Sequence, residues 1–175
     1  MFGVKRSLAF ICLLTFASVS SAFAQDVSIS GLRFGQNGDT TRFVLDLSSG
    51  VKPRIFLLSN PSRVVVDLPE VKWAVQSEAK ALGAVAGYRH GLFSADTYRI
   101  VLDLKREAVV TKAFPLAARS GYSDRYVIDL KDAESAEFTS AVAASRVERS
   151  RSAPPPVPIQ TNRTARPDNK RVIVV

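Results

Sequence analysis

Arg42-Phe43-Val44-Leu45-Asp46-Leu47 and Arg99-Ile100-Val101-Leu102-Asp103-Leu104 follow one pattern: arginine, three apolar residues, aspartate, leucine. The pattern recurs at Arg63-Val64-Val65-Val66-Asp67-Leu68 and Arg125-Tyr126-Val127-Ile128-Asp129-Leu130. In an extended chain alternate residues share a face. Phe43, Leu45 and Leu47 then point one way, and Arg42, Val44 and Asp46 the other. The same split holds in every copy, giving one apolar face and one that sets a charge at each end of a valine. This is the signature of strands buried on one side, and a helix would scatter the same residues around its circumference. Charges of opposite sign at matched places in several strands also predict Arg-Asp pairing across strands.

A longer duplication surrounds the pattern. Gly31-Leu32-Arg33-Phe34-Gly35 leads into the first copy as Gly87-Tyr88-Arg89-His90-Gly91 leads into the third, with Asp39-Thr40 and Asp96-Thr97 following. Each half adds an apolar strand, Arg54 to Leu58 or Val109 to Phe114, before its last Arg-x-x-x-Asp-Leu copy. Turn chemistry separates the strands at Gln36-Asn37-Gly38-Asp39, Ser59-Asn60-Pro61-Ser62 and Ser120-Gly121-Tyr122-Ser123-Asp124. The segment from Glu70 to Ala86 is a helix or long crossover between the halves, since Val71, Trp73, Val75 and Ala79 fit neither period. Two tandem units are too few for a solenoid. The expected fold is all-β: a symmetric sandwich of two four-stranded sheets over residues 25–132.

The flanks read differently. Lys5 and Arg6 precede an apolar run from Leu8 to Val19 that ends in Ala22-Phe23-Ala24, the pattern of a signal peptide cleaved after Ala24. That run is shorter than the ~20 apolar residues a membrane span requires. Cys12, the one cysteine, would leave with residues 1–24, and the mature chain would be periplasmic with no membrane span. After Ala133 the aromatic and β-branched runs give way to Ser, Ala, Arg and Pro, so residues 133–169 are expected to form a disordered, partly polyproline linker. A short helix over Ser135 to Val147 is compatible with its first part.

The full chain carries a formal charge of +8. Without Lys5 and Arg6, 22 basic residues face 16 acidic ones. An exported basic protein suits an anionic cell-wall polymer better than nucleic acid. Catalytic chemistry is hard to find. The chain has one histidine, His90, and no cysteine beyond the leader. A zinc site normally takes three or four His, Cys or carboxylate ligands. The repeated aspartates are not a differentiated acid-base pair, because each copy carries the same one. The reading is therefore catalytic residues none, metal none and no cofactor in this chain.

The leader, the duplicated strands, and above all Arg63-Val64-Val65-Val66-Asp67-Leu68-Pro69 and Tyr98-Arg99-Ile100-Val101-Leu102-Asp103-Leu104, resemble an AMIN domain. This is the N-terminal module of bacterial N-acetylmuramoyl-L-alanine amidases and of some pilus secretins. The resemblance covers residues 25–132 and implies a non-catalytic module that binds peptidoglycan and targets its enzyme to the division septum. A full-length parent would hydrolyse the amide between N-acetylmuramic acid and L-alanine. Lys170-Arg171-Val172-Ile173-Val174-Val175 is similar to the first strand of the zinc amidase domain. Residues 170–175 would then begin that domain, with zinc expected only in the region beyond. The sequence would be a truncated or short-predicted amidase. The implied partners are peptidoglycan and septal division proteins. The alternative is an AMIN domain of a secretin or other envelope assembly, with a structural anchoring role. An enzyme acting through carboxylates is a third class, for which no differentiated pair exists.

Repeated carboxylates and hydroxyls call for arginine donors on a flat sheet face. Arg33 and Arg89 hold equivalent places in the two halves, Phe34 beside one and Tyr88 and His90 beside the other. These five are the expected peptidoglycan-binding residues. The competing reading leaves the two arginines as solvated strand residues or pairs them with Asp39 and Asp96.

Overall fold

The structure is a computed structural model that describes residues 27–119 and 121–152. The expected leader at 1–24, the proline-rich stretch from 153 and the expected strand at 170–175 lie outside the described residues. Among those described there are nine strands and one helix: β1 (Val27–Asn37), β2 (Thr40–Leu47), β3 (Arg54–Leu58), β4 (Arg63–Pro69), β5 (Val71–Trp73), β6 (Val85–Ser94), β7 (Thr97–Leu104), β8 (Ala108–Leu116), β9 (Asp124–Asp132) and α1 (Ser135–Ser152).

The strands form two sheets, ordered β5-β1-β2-β9-β8 and β3-β4-β7-β6. Each sheet takes one hairpin from the first half of the chain and one from the second. Exchanging β1 with β6, β2 with β7, β3 with β8 and β4 with β9 turns the order β1-β2-β9-β8 into β6-β7-β4-β3. The expected pair of four-stranded sheets is corrected in one respect. Val71–Trp73 lies parallel to Val27–Ile29 and adds a fifth strand to one sheet. The crossover between the halves is thus partly a strand rather than a helix. Its remainder is held by a close approach: Ala84 N–H donates to the buried Thr41 hydroxyl at 2.9 Å. Gly83 beside it has φ +61°, and a Cβ there would collide with the Thr41 side chain. A residue with a side chain would fit neither the torsion nor the space.

The apolar faces of the two sheets meet in a single core. Phe43, Leu45 and Leu47 of β2, Ile100 and Leu102 of β7, and Ile128 and Leu130 of β9 are all fully buried. Each such side chain contributes roughly 1.5–3 kcal/mol by leaving water. The residues between them point out, as the period of two requires. At the β1–β2 turn Gly38 takes φ +59°, the left-handed conformation glycine adopts without cost.

The helix departs from the expected disordered linker. It runs through Ser152, beyond the Val147 limit read from sequence, and belongs to the folded unit. Phe138 is 1 % exposed and sits in the core cluster. Helix α1 packs on β3 and β8, closing the sandwich edge where the two sheets leave a gap. Glu137 in the first turn and Arg149 and Arg151 in the last turn complement the helix dipole. The Ser135 hydroxyl donates to Glu107 at 2.6 Å and ties the helix start to the strap before β8.

Candidate functional site

The outward residues of the two sheets carry equivalent polar ladders. On the five-stranded sheet, Arg42 of β2 lies opposite Asp129 of β9. Its Nε and Nη2 donate to the two carboxylate oxygens at 2.7 and 2.8 Å. On the four-stranded sheet, Arg99 of β7 lies opposite Asp67 of β4 and grips it the same way, at 2.6 and 2.9 Å. Arg54 of β3 adds a third bond to Asp67 at 2.9 Å. In the other sheet the matching place holds Lys112 of β8, whose charge acts on Asp129 without a hydrogen bond to it. Burial would raise the Asp67 carboxyl, yet the bonds from Arg99 and Arg54 outweigh it and hold its pKa below the ordinary value of 3.8. Asp129 is likewise held down, chiefly by the hydrogen bonds from Arg42.

The other two register pairs are not closed by direct bonds. Arg125 faces Asp46, and Arg63 faces Asp103. Asp46 accepts from Arg33 at 2.6 Å and Asp103 from Arg89 at 3.0 Å, both arginines reaching over from the neighbouring strand. Arg63 Nε turns to the Pro61 carbonyl at 3.1 Å. Arg33 and Arg89 therefore pair with the aspartates of the repeat, not with Asp39 and Asp96.

The placement of the expected binding residues is corrected in a second way. Arg33 lies on the outside of the five-stranded sheet and Arg89 on the outside of the four-stranded sheet, so no single flat face holds both. Phe34 and Tyr88, sequence neighbours of these arginines, are half-buried against the core at the edge where β1 and β6 face each other, and His90 at the same edge is exposed. Phe34 packs on Phe43 and Tyr88, with centroids at 5.2 and 5.9 Å. His90 stacks on Trp73 at 3.5 Å, and its Nδ1 lies 2.6 Å from the Tyr98 hydroxyl. Burial lowers the His90 pKa, with Glu78 opposing. Three of the five expected residues, Tyr88, Arg89 and His90, nevertheless line one hollow of about 470 Å³ together with Glu78, Ala79 and Ala81.

Outside the sheets a groove crosses each ladder. Gly35 stands opposite Arg42 and Gly91 opposite Arg99, and a Cβ at either glycine would meet no atom within 4 Å. The groove on the five-stranded face has a volume of about 320 Å³ and is lined by Gly35, Gln36, Asn37, Thr40, Arg42 and Asp129. That on the four-stranded face is about 190 Å³, with Arg89, Gly91, Phe93, Arg99 and Val101 among its walls. Phe93 is a residue the sequence reading passed over. It is 60 % exposed, and the Arg99 guanidinium lies 3.3 Å above its ring. Its signal was available, since Arg89, Gly91 and Phe93 alternate. Among the described residues no three His, Cys, Asp or Glu side chains are arranged to hold a metal ion. No helix among them is long and apolar enough to cross a membrane.

The family model of the AMIN domain matches residues 31–130, from within β1 to within β9. This chain belongs to the AMIN domain family. It is 31% identical over 140 residues to the N-acetylmuramoyl-L-alanine amidase AmiC of Escherichia coli O6:H1, covering 75% of this chain and 32% of that protein. To AmiC of Neisseria meningitidis serogroup B it is 27% identical over 127 residues, covering 67% and 30%. The chain thus spans about a third of the length of the curated relatives it matches. The AMIN match ends within β9, so the helix that seals the β3–β8 edge lies outside the matched residues.

Proposed function

We propose that this AMIN domain is the non-catalytic peptidoglycan-binding module of an N-acetylmuramoyl-L-alanine amidase, exported to the periplasm and directed to the division septum. The observation that carries the reading is the pair of outward Arg-Asp ladders, each crossed by a glycine-floored groove, on a domain whose relatives are cell-wall amidases. Guanidinium groups fixed by carboxylates have their planes oriented in advance. Their remaining N–H donors, and the carboxylate oxygens beside them, can meet the hydroxyls, acetamides and carboxylates of the polymer without further ordering. The two ladders descend from one duplicated half, and a repeating polymer can engage either. Zinc and the hydrolytic residues belong to the amidase part of such an enzyme, and this module supplies location.

The experiment is co-sedimentation of the purified chain with purified sacculi, alongside an assay for released stem peptide with and without zinc. Retention on sacculi without release is the expected result. Failure to sediment with sacculi overturns the binding role, and release of stem peptide by this chain alone overturns the non-catalytic one.

A further inference from the structure

The two outer faces share their ladders but differ beside the groove. Two residues beyond the groove glycine the five-stranded face has Asn37, and the four-stranded face has Phe93. The Phe93 ring is a ridge between two hollows. On one side is the groove of about 190 Å³ floored by Gly91 and Val101. On the other is a cleft of about 810 Å³ with Lys52, Arg54, Asp67, Ser94 and Asp96 in its walls. That volume is in the range small ligands occupy. The ring is also immobilised. Arg99 covers one of its faces and is itself clamped by two bonds to Asp67, so the opposite face is presented to solvent at a set angle.

The cleft's charges balance: Lys52 and Arg54 stand against Asp67 and Asp96. Asp96 is held in place by the Ser94 and Thr97 hydroxyls at 2.7 and 3.2 Å. A site for a polyanion would be cationic without carboxylates. Fixed donors alternating with fixed acceptors beside an open aromatic face suit a neutral ring bearing hydroxyl and acetamido groups. The axial C–H bonds of a pyranose meet the electron-rich face of the phenyl ring, and its hydroxyls bridge donor and acceptor.

We infer that the four-stranded face holds a saccharide subsite, with one pyranose ring of a β-linked N-acetylhexosamine chain stacked on Phe93 and the next in the cleft toward Arg54 and Asp96. This rests on the peptidoglycan reading and assigns the glycan strand, rather than the stem peptide, to this face.

The test titrates the full chain with the β-1,4-linked tetramer of N-acetylglucosamine, followed by calorimetry at low and high salt, with sacculus co-sedimentation in parallel. Wild type binds the tetramer with little dependence on salt. Phe93→Ala weakens binding about tenfold, the loss of one aromatic contact, while Phe93→Trp retains it. Undiminished binding by Phe93→Ala, with the unfolding midpoint of wild type, overturns the subsite. A wild-type chain that sediments with sacculi but ignores the tetramer also overturns it and leaves the peptidoglycan reading standing. A chain that binds neither removes both.

Discussion

The five-stranded and four-stranded faces display the same Arg-x-Val-x-Asp alternation, yet their neighbours treat it differently. On the four-stranded face Asp67 is bonded by two arginines, and Phe56 beneath them is buried, with Arg149 of α1 at 4.7 Å from its ring centroid. On the five-stranded face Asp129 has one arginine, and Phe114, at the place matching Phe56, stays half-exposed. One face has the helix's Arg149 over Phe56 and an exposed Phe93 on Arg99, and the other has an exposed Tyr122 beside Arg125, its ring centroid 5.2 Å from the guanidinium. A repeated sequence thus sets equal chemistry on two surfaces, and the elements that join the repeats make the surfaces unequal.

The strongest way to break this difference is to dislodge the helix. Phe138→Ala empties a buried site at the β3–β8 edge and should cost about 3–5 kcal/mol in urea unfolding. If the helix is what braces the four-stranded face, this variant should also expose Phe56 and speed amide exchange in β3 before β2. A loss under about 1 kcal/mol would show that the helix is incidental to the fold.

A smaller effect separates the two buried aspartates. Asp67→Ala strands two guanidinium groups and should cost about 2–3 kcal/mol, against about 1–2 for Asp129→Ala, because the arginines are part-exposed and water screens what is left behind. Equal losses would mean that the extra bond from Arg54 contributes nothing. Both carboxyls titrate below 3.8 in the folded state, so their unfolded forms bind more protons at acid pH. Their stabilisation is present above pH 3.8 and is lost as pH falls through the lowered folded values. Asp67→Asn should flatten the acid limb of the stability curve more than Asp129→Asn does.

The least effect on stability is expected from Arg33→Ala and Arg89→Ala. The two side chains are 56% and 57% exposed, and each loss should fall within about 0.5 kcal/mol. Because they lie on opposite faces, the single variants read the faces one at a time. Arg89→Ala should weaken sacculus co-sedimentation more than Arg33→Ala, and added salt should erase the difference. Equal weakening would indicate that both faces engage the polymer alike.

The alternation of Arg, Val and Asp with apolar residues was enough to give the strands, their buried faces and the expectation of Arg-Asp pairing across strands, because a period of two is a local property that needs no knowledge of partners. The same rule, applied one residue further, would have turned Phe34 and Tyr88 toward the core and left Phe93 on the side of Arg89. What remained hidden was non-local. Nothing in the four copies says that β2 joins β9 and β4 joins β7, so which arginine meets which aspartate could not be read, and it is the placing of β1 and β6 in different sheets that sets Arg33 and Arg89 on opposite faces. Phe138 sits in a segment of Ala, Ser and Arg with no apolar stripe. It becomes a core residue only because β3 and β8 leave an uncovered edge, and that vacancy exists only once both sheets have closed.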